Sequence, residues 1–169
     1  MSARQEELFA EIHRDHSGLI ARTAYAFASD HADRDDLFQE ILISLWRAIP
    51  QFSGGAKLST YVYRVALSCA LNWKRSRRRY AKKLEHYGYV LPALAVDSSP
   101  RDQDRLHWLY ARILELPPVD RSLILLSLDR LGYGEIAEIT GLSESNIGVR
   151  LHRIKQQLID RSEDIKDEI

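Results

Sequence analysis

Tyr133-Gly134-Glu135-Ile136-Ala137-Glu138-Ile139-Thr140-Gly141-Leu142-Ser143, followed by Glu144 to Leu158, is the stretch whose reading decides the fold. Small Ala137 lets a following helix approach closely, Gly141 supplies the left-handed backbone that ends a helix, and Ser143 can cap the next one. The spacing therefore predicts two helices that cross steeply. Ile147, Leu151, Ile154 and Leu158 would bury one side of the second helix, leaving Ser145, Asn146, Val149, Arg150 and Arg153 on opposite or flanking faces. An α-helix fits the DNA major groove, where its early residues meet base edges and its arginines grip phosphates or guanines. A plain helical hairpin is the bland reading. The coincidence of Ala137, Gly141 and Ser143 with the apolar spacing favours a DNA-reading helix-turn-helix.

Outward from this motif, apolar residues recur at helical spacing and sustained strand-type alternation is missing, so an all-α fold is expected. Leu8, Ile12, Leu19, Thr23 and Phe27 line a first helix from about Gln5 to about Ala28. Acidic Asp33, Asp35 and Asp36 suit the start of a second helix, which carries Leu37, Ile41, Leu45 and Ile49 and stops before Pro50. Residues 51–56, with paired glycines, read as a loop. Ser59 can start a third helix, with Leu58, Val62, Val65, Cys69 and Trp73 as its apolar stripe. From about Glu85 to Asp102 the pattern lapses around Gly88, Pro92 and Pro100, as expected of a flexible linker. Periodicity returns with Leu106, Leu109, Ile113 and Leu116 and again from Ser122 to Leu131, giving about four helices in the second half.

Charge is divided unequally. The 169 residues balance 24 Lys or Arg against 24 Asp or Glu. Residues 1–83 hold 14 basic against 9 acidic side chains, leaving 10 against 15 for the remainder. Lys74 to Lys83 alone places seven positive charges in ten residues, directly after a helix bearing Tyr61, Tyr63, Arg64, Asn72 and Trp73. Such cations neutralise phosphates, and exposed aromatics beside them offer stacking surfaces for unpaired bases. The bland alternative is a solvated helix end with Tyr61 and Trp73 in the core.

Enzyme chemistry is poorly supported. The six histidines are scattered, and no nucleophile elbow or phosphate loop occurs. His13 and His16 lie one turn apart, but a single Cys and no HExxH-like pattern argue against a metal site. No cofactor is expected. Lone Cys69 suits a reducing cytoplasm, and neither a signal peptide nor a run approaching the roughly 20 apolar residues of a membrane span is found, so no membrane insertion is expected.

Taken in order, the two halves resemble the extracytoplasmic-function group of the sigma-70 superfamily, the removable promoter-reading subunits of bacterial RNA polymerase. The resemblance covers nearly the whole chain and divides it into region 2 at residues 1–84, a linker at 85–102 and region 4 at 103–169. It implies that Asp36, Gln39, Glu40 and Trp46 bind the beta-prime clamp helices of core RNA polymerase. It implies that Phe52, Lys57, Thr60, Tyr61, Tyr63, Arg64, Ser68, Asn72, Lys74 and Arg75 capture and melt the minus-10 element. Ser143, Ser145, Asn146, Val149, Arg150 and Arg153 would read the minus-35 element. The partners implied are core polymerase, including its beta flap, promoter DNA and an anti-sigma factor; catalysis would belong to the polymerase.

Some positions depart from the family pattern. Leu67 and Ser68 stand where many relatives carry a polar or basic residue and then Asn, with Asn72 as a candidate substitute. Gly148 replaces a frequent Lys, and Gln156 and Gln157 are less basic than usual, which implies either an unusual minus-35 sequence or a weak reader that needs help. Two other readings remain open at this point: a helix-turn-helix regulator that works without polymerase, and a sigma-like interaction protein that barely reads DNA.

Overall fold

The computed structural model describes residues 3–86 and 101–163, with side chains described over 3–73 and 105–162. Its helices are α1 (Ala3–Phe27), α2 (His31–Ala48), α3 (Leu58–His86), α4 (Arg101–Glu115), α5 (Pro118–Leu128), α6 (Tyr133–Thr140) and α7 (Glu144–Glu163), with a single 3-10 turn at Ile49–Gln51. No strand occurs among the described residues, in agreement with the all-α expectation. Of the expected linker, residues 87–100 lie outside the described part; its flanks, Glu85 and His86 in α3 and Arg101 and Asp102 in α4, are helical.

Local chemistry sets the helix ends. Asp30 caps α2 by accepting the Asp33 amide at 2.8 Å, three residues earlier than the acidic cluster alone suggests. Proline marks two boundaries: Pro50 follows α2 in the 3-10 turn, and Pro118 opens α5 at its first position, where no amide partner is lost. The third helix starts at Leu58, so Ser59 lies inside its first turn instead of capping it. At the end of α6, Gly141 has φ 75°, the left-handed value expected of it. Ser143 Oγ accepts the Asn146 amide at 3.3 Å and begins α7.

Helices α1, α2 and α3 pack on one another, and α5, α6 and α7 form the second group. Ile12, Leu19, Ile20, Leu37, Ile41 and Leu45 fill the first core, while Ile113, Leu123, Leu126, Ile136, Ile147, Leu151 and Ile154 fill the second. The two groups also touch, α3 against α6 and α1 against α4 and α5. That contact corrects the stripe expected on α3. Its buried residues are Thr60, Val62, Tyr63, Ala66, Leu67 and Ala70, whereas Leu58, Val65, Cys69 and Trp73 are only partly buried. A helix covered on two sides buries a wider arc than a single amphipathic stripe. Leu106, expected among the core residues of α4, is 56% exposed.

Candidate nucleic-acid interface

Three surfaces carry the candidate residues. On α2, Asp36, Gln39 and Glu40 are exposed along one stretch of helix. Trp46 differs: its ring meets Phe9 edge-on with centroids 5.2 Å apart, and its carbonyl accepts Gln5 Nε2 at 2.9 Å. It fastens α2 to α1 while the three polar residues face outward.

The second surface is the loop before α3 and the helix itself. Phe52 and Tyr61 pack ring to ring at 4.9 Å, and the Tyr61 hydroxyl donates to the Ala48 carbonyl at 2.7 Å. Burial raises the Tyr61 phenol above its ordinary pKa. Arg64, Ser68 and Asn72 are exposed and, with Ser44, Val65 and Cys69, line an open cleft of about 440 Å³ between α2 and α3. Burial likewise raises the Cys69 thiol, whose sulfur accepts the Ser44 hydroxyl at 3.5 Å. Lys57 is exposed at the head of the helix, and Thr60 is buried. The expectation of an exposed stacking aromatic fails at Tyr63, which is 6% exposed and donates to Asp129 Oδ2 at 2.6 Å. Burial first, and that hydrogen bond second, push its phenol well above the usual range. Lys74 and Arg75 continue α3 beyond the described side chains.

The third surface is the outer side of α7. Ile147, Leu151 and Ile154 are fully buried, as the apolar spacing predicts, and Ser143, Ser145, Asn146 and Val149 are exposed, Val149 to 70%. Arg150 and Arg153 do not point freely into solvent. Arg150 Nη1 lies 2.7 Å from Asp120 Oδ1, Arg153 Nη2 lies 3.0 Å from Asp120 Oδ2, and Arg150 Nε also donates to Asn146 Oδ1 at 2.9 Å. Gly148 faces Tyr133: a Cβ added there would meet the ring at 3.3 Å.

Sequence reasoning missed Asp120, Asp129 and Arg22, which bears on Asp129 from α1 at 2.7 Å. Asp120 had one local signal, an acid in the first turn after Pro117-Pro118, where the helix dipole favours it. Asp129 and Arg22 had none.

Comparison with known families covers both halves. Residues 12–80 match the model for Sigma-70 region 2, and residues 106–158 match the model for Sigma-70 region 4. An ECF RNA polymerase sigma factor, SigE of Mycolicibacterium smegmatis, is 29% identical over 89% of this chain and 60% of its own length. Another, SigW of Bacillus subtilis, is 24% identical over 95% of this chain and 91% of its own length. The chain belongs to the extracytoplasmic-function group of the sigma-70 family. As a member of that group it spans less than two thirds of the first relative and nearly all of the second. The fold agrees. The sigma factor RpoE of Bartonella quintana, solved with the anti-sigma factor NepR, superposes with a TM-score of 0.72 at 18% identity, covering 90% of this chain and 94% of that one. CnrH, solved with the cytosolic domain of CnrY, gives 0.64 at 21% identity, covering 92% of this chain and 88% of that one. In this sigma factor the region 2 match contains α2 and most of α3, and the region 4 match contains α5, α6 and most of α7. Among the described residues no helix is long and apolar enough to cross a membrane.

Proposed function

We propose that this sigma factor binds core RNA polymerase through α2 and directs it to promoters that it reads at two places. What supports the reading most is that one chain holds, in order, a region 2 match and a region 4 match, each bearing an exposed polar surface of a different character. Asp36, Gln39 and Glu40 would meet the beta-prime clamp helices, with Trp46 holding their helix in place. Residues 1–84 would act as the core-binding and melting unit, 85–102 as a tether, and 103–169 as the minus-35 reader, which also meets the beta flap. A tether accommodates two DNA elements set apart along a promoter.

Strand capture falls to Lys57, Arg64, Ser68, Asn72, Lys74 and Arg75, with Phe52 and Tyr61 closing the loop beside them. Cations hold the backbone of the opened strand, and the cleft beside Asn72 and Ser68 has the size and polarity to admit an unstacked base. Thr60 supports this face from within the helix. Ser143, Ser145, Asn146 and Val149 would face base edges in the major groove, flanked by Arg150 and Arg153 on phosphates. The bond-making chemistry is the polymerase's, and the chain acts where polymerase acts, in the cytoplasm. An anti-sigma factor, as NepR is in the complex of the solved relative RpoE, would hold it inactive.

The test is DNA retention with and without core enzyme. Promoter fragments should be retained strongly only when the protein and sigma-free core are present together. Strong sequence-specific retention by the protein alone would instead identify a regulator that works without polymerase.

A further inference from the structure

Near the start of α7 two exposed side chains of opposite chemistry, Asn146 and Val149, stand three residues apart and so share one face of the helix. Val149 is 70% exposed, more than any other large hydrophobic among the described residues. Alone, an exposed valine would mean little. Beside Asn146 it completes a pattern. Ile147 between them is buried, and Gly148 has no side chain and faces Tyr133, so no other group intrudes on the pair.

The Asn146 amide is oriented from inside the protein. Arg150 Nε, which can only donate, lies 2.9 Å from Asn146 Oδ1, and Nη1 of the same guanidinium lies 2.7 Å from the buried Asp120 carboxylate. The carbonyl end of the amide is therefore turned toward Arg150, and the NH2 end is the one left to face outward. Asparagine in its usual bidentate pairing with adenine must offer both ends, accepting from N6 and donating to N7. Here the accepting end is engaged. What α7 presents is a donor beside an apolar side chain.

We infer that Asn146 and Val149 jointly read one thymine of the minus-35 element, Nδ2 donating to O4 and the Val149 methyls packing on the C5-methyl. The inference rests on the groove-reading role proposed above for α7. In the major groove thymine alone among the four bases sets an acceptor beside a methyl group. Guanine offers acceptors with no methyl, cytosine offers a donor, and adenine sets a donor next to its N7. Arg150, held by Asp120, is a positioning residue: it keeps the amide from rotating to accept from adenine.

The experiment titrates the full chain bound to core polymerase with a duplex promoter fragment recovered by mapping its start sites. Each thymine of the minus-35 segment, on either strand, is replaced in turn by uracil, by 5-methylcytosine paired with guanine, or by adenine paired with thymine. At one position uracil, which lacks only the methyl, should weaken binding about fourfold. At that position 5-methylcytosine, which keeps the methyl but replaces the acceptor with a donor, should weaken it about tenfold. Val149→Ala should abolish the uracil penalty and keep the 5-methylcytosine penalty. Asn146→Asp, whose acid suits the first turn of a helix, should reverse the preference in favour of 5-methylcytosine, because a carboxylate accepts from N4. Arg150→Ala should shrink the discrimination between thymine and adenine there, a ratio that a general loss of stability or of phosphate contact would leave unchanged. A wild type indifferent to uracil at every position, a minus-35 segment without thymine, or an unaltered uracil penalty in Val149→Ala would overturn the inference. Equal binding of a fragment whose minus-35 segment has been scrambled would overturn the groove-reading role itself, and the thymine contact with it.

Discussion

Asp120 Oδ1 lies 2.7 Å from Arg150 Nη1, and the same carboxylate takes Arg153 at 3.0 Å on its other oxygen. One buried acid at the head of α5 therefore orients two arginines of α7 and joins that helix to α5. Arg150 is held twice, through Asp120 and Asn146, whereas the Arg153 side chain is 59% exposed. Arg153→Ala should reduce duplex affinity in the polymerase complex and flatten its salt dependence while leaving the melting temperature nearly unchanged. Asp120→Ala should cost about 1–2 kcal/mol of stability and also weaken duplex binding, because both arginines lose their orientation. Thermal denaturation and salt-series binding check both. Equal stability losses in the two variants would contradict this division of roles.

Gly141 carries the turn of the helix-turn-helix at φ 75°, with nothing within 4 Å of an added Cβ. Space is free, so the cost of Gly141→Ala is purely one of backbone conformation, about 1–2 kcal/mol. Denaturant unfolding should show the midpoint falling with an unchanged slope.

At Gly148 the balance reverses. A Cβ would press on Tyr133, but that ring is 45% exposed at the start of α6 and can swing aside. Gly148→Ala should therefore stabilise α7 by up to about 1 kcal/mol through helix propensity. Gly148→Lys should additionally raise duplex affinity at low salt, with a steeper salt slope. A lowered melting temperature for the alanine variant would mean that the Tyr133 ring is held in place.

How much of this was legible beforehand follows the range of the interactions. Gly141, Ser143 and the Ile147, Leu151 and Ile154 face were readable because a left-handed turn, a cap and a buried stripe are each decided within one or two helical turns. The polar patch of Asp36, Gln39 and Glu40 was readable for the same reason. The partners of Arg150 and Tyr63 lie 30 and 66 residues away, beyond any local pattern. Tyr63 and Leu67 therefore looked like DNA-facing positions on a helix with one covered side, when α6 covers a second side of that helix.

The Tyr63 hydroxyl yields a pH prediction. Its folded-state pKa is raised, so its stabilising contribution is complete below the unfolded value of about 10 and is lost as pH climbs through the higher folded value. Tyr61 and Tyr110, both raised by burial, act in the same direction. Stability should hold to about pH 10 and decline above it. Tyr63→Phe should show a shallower alkaline decline, measured by thermal melts across the range and by spectrophotometric titration of tyrosinate. An identical decline in the variant would remove Tyr63 from this account.

The central claim, that this chain directs polymerase to start sites, is tested most directly by adding it to sigma-free core polymerase on genomic DNA and sequencing the 5′ ends of the transcripts. The wild type should produce a discrete new set of start sites, preceded by shared sequence at two spaced positions. Glu40→Lys, on the exposed face of α2, should lose those starts together with co-purification of core, while its circular dichroism stays helical. Transcripts no different from those of core alone, with the wild-type protein folded and in excess, would contradict the claim.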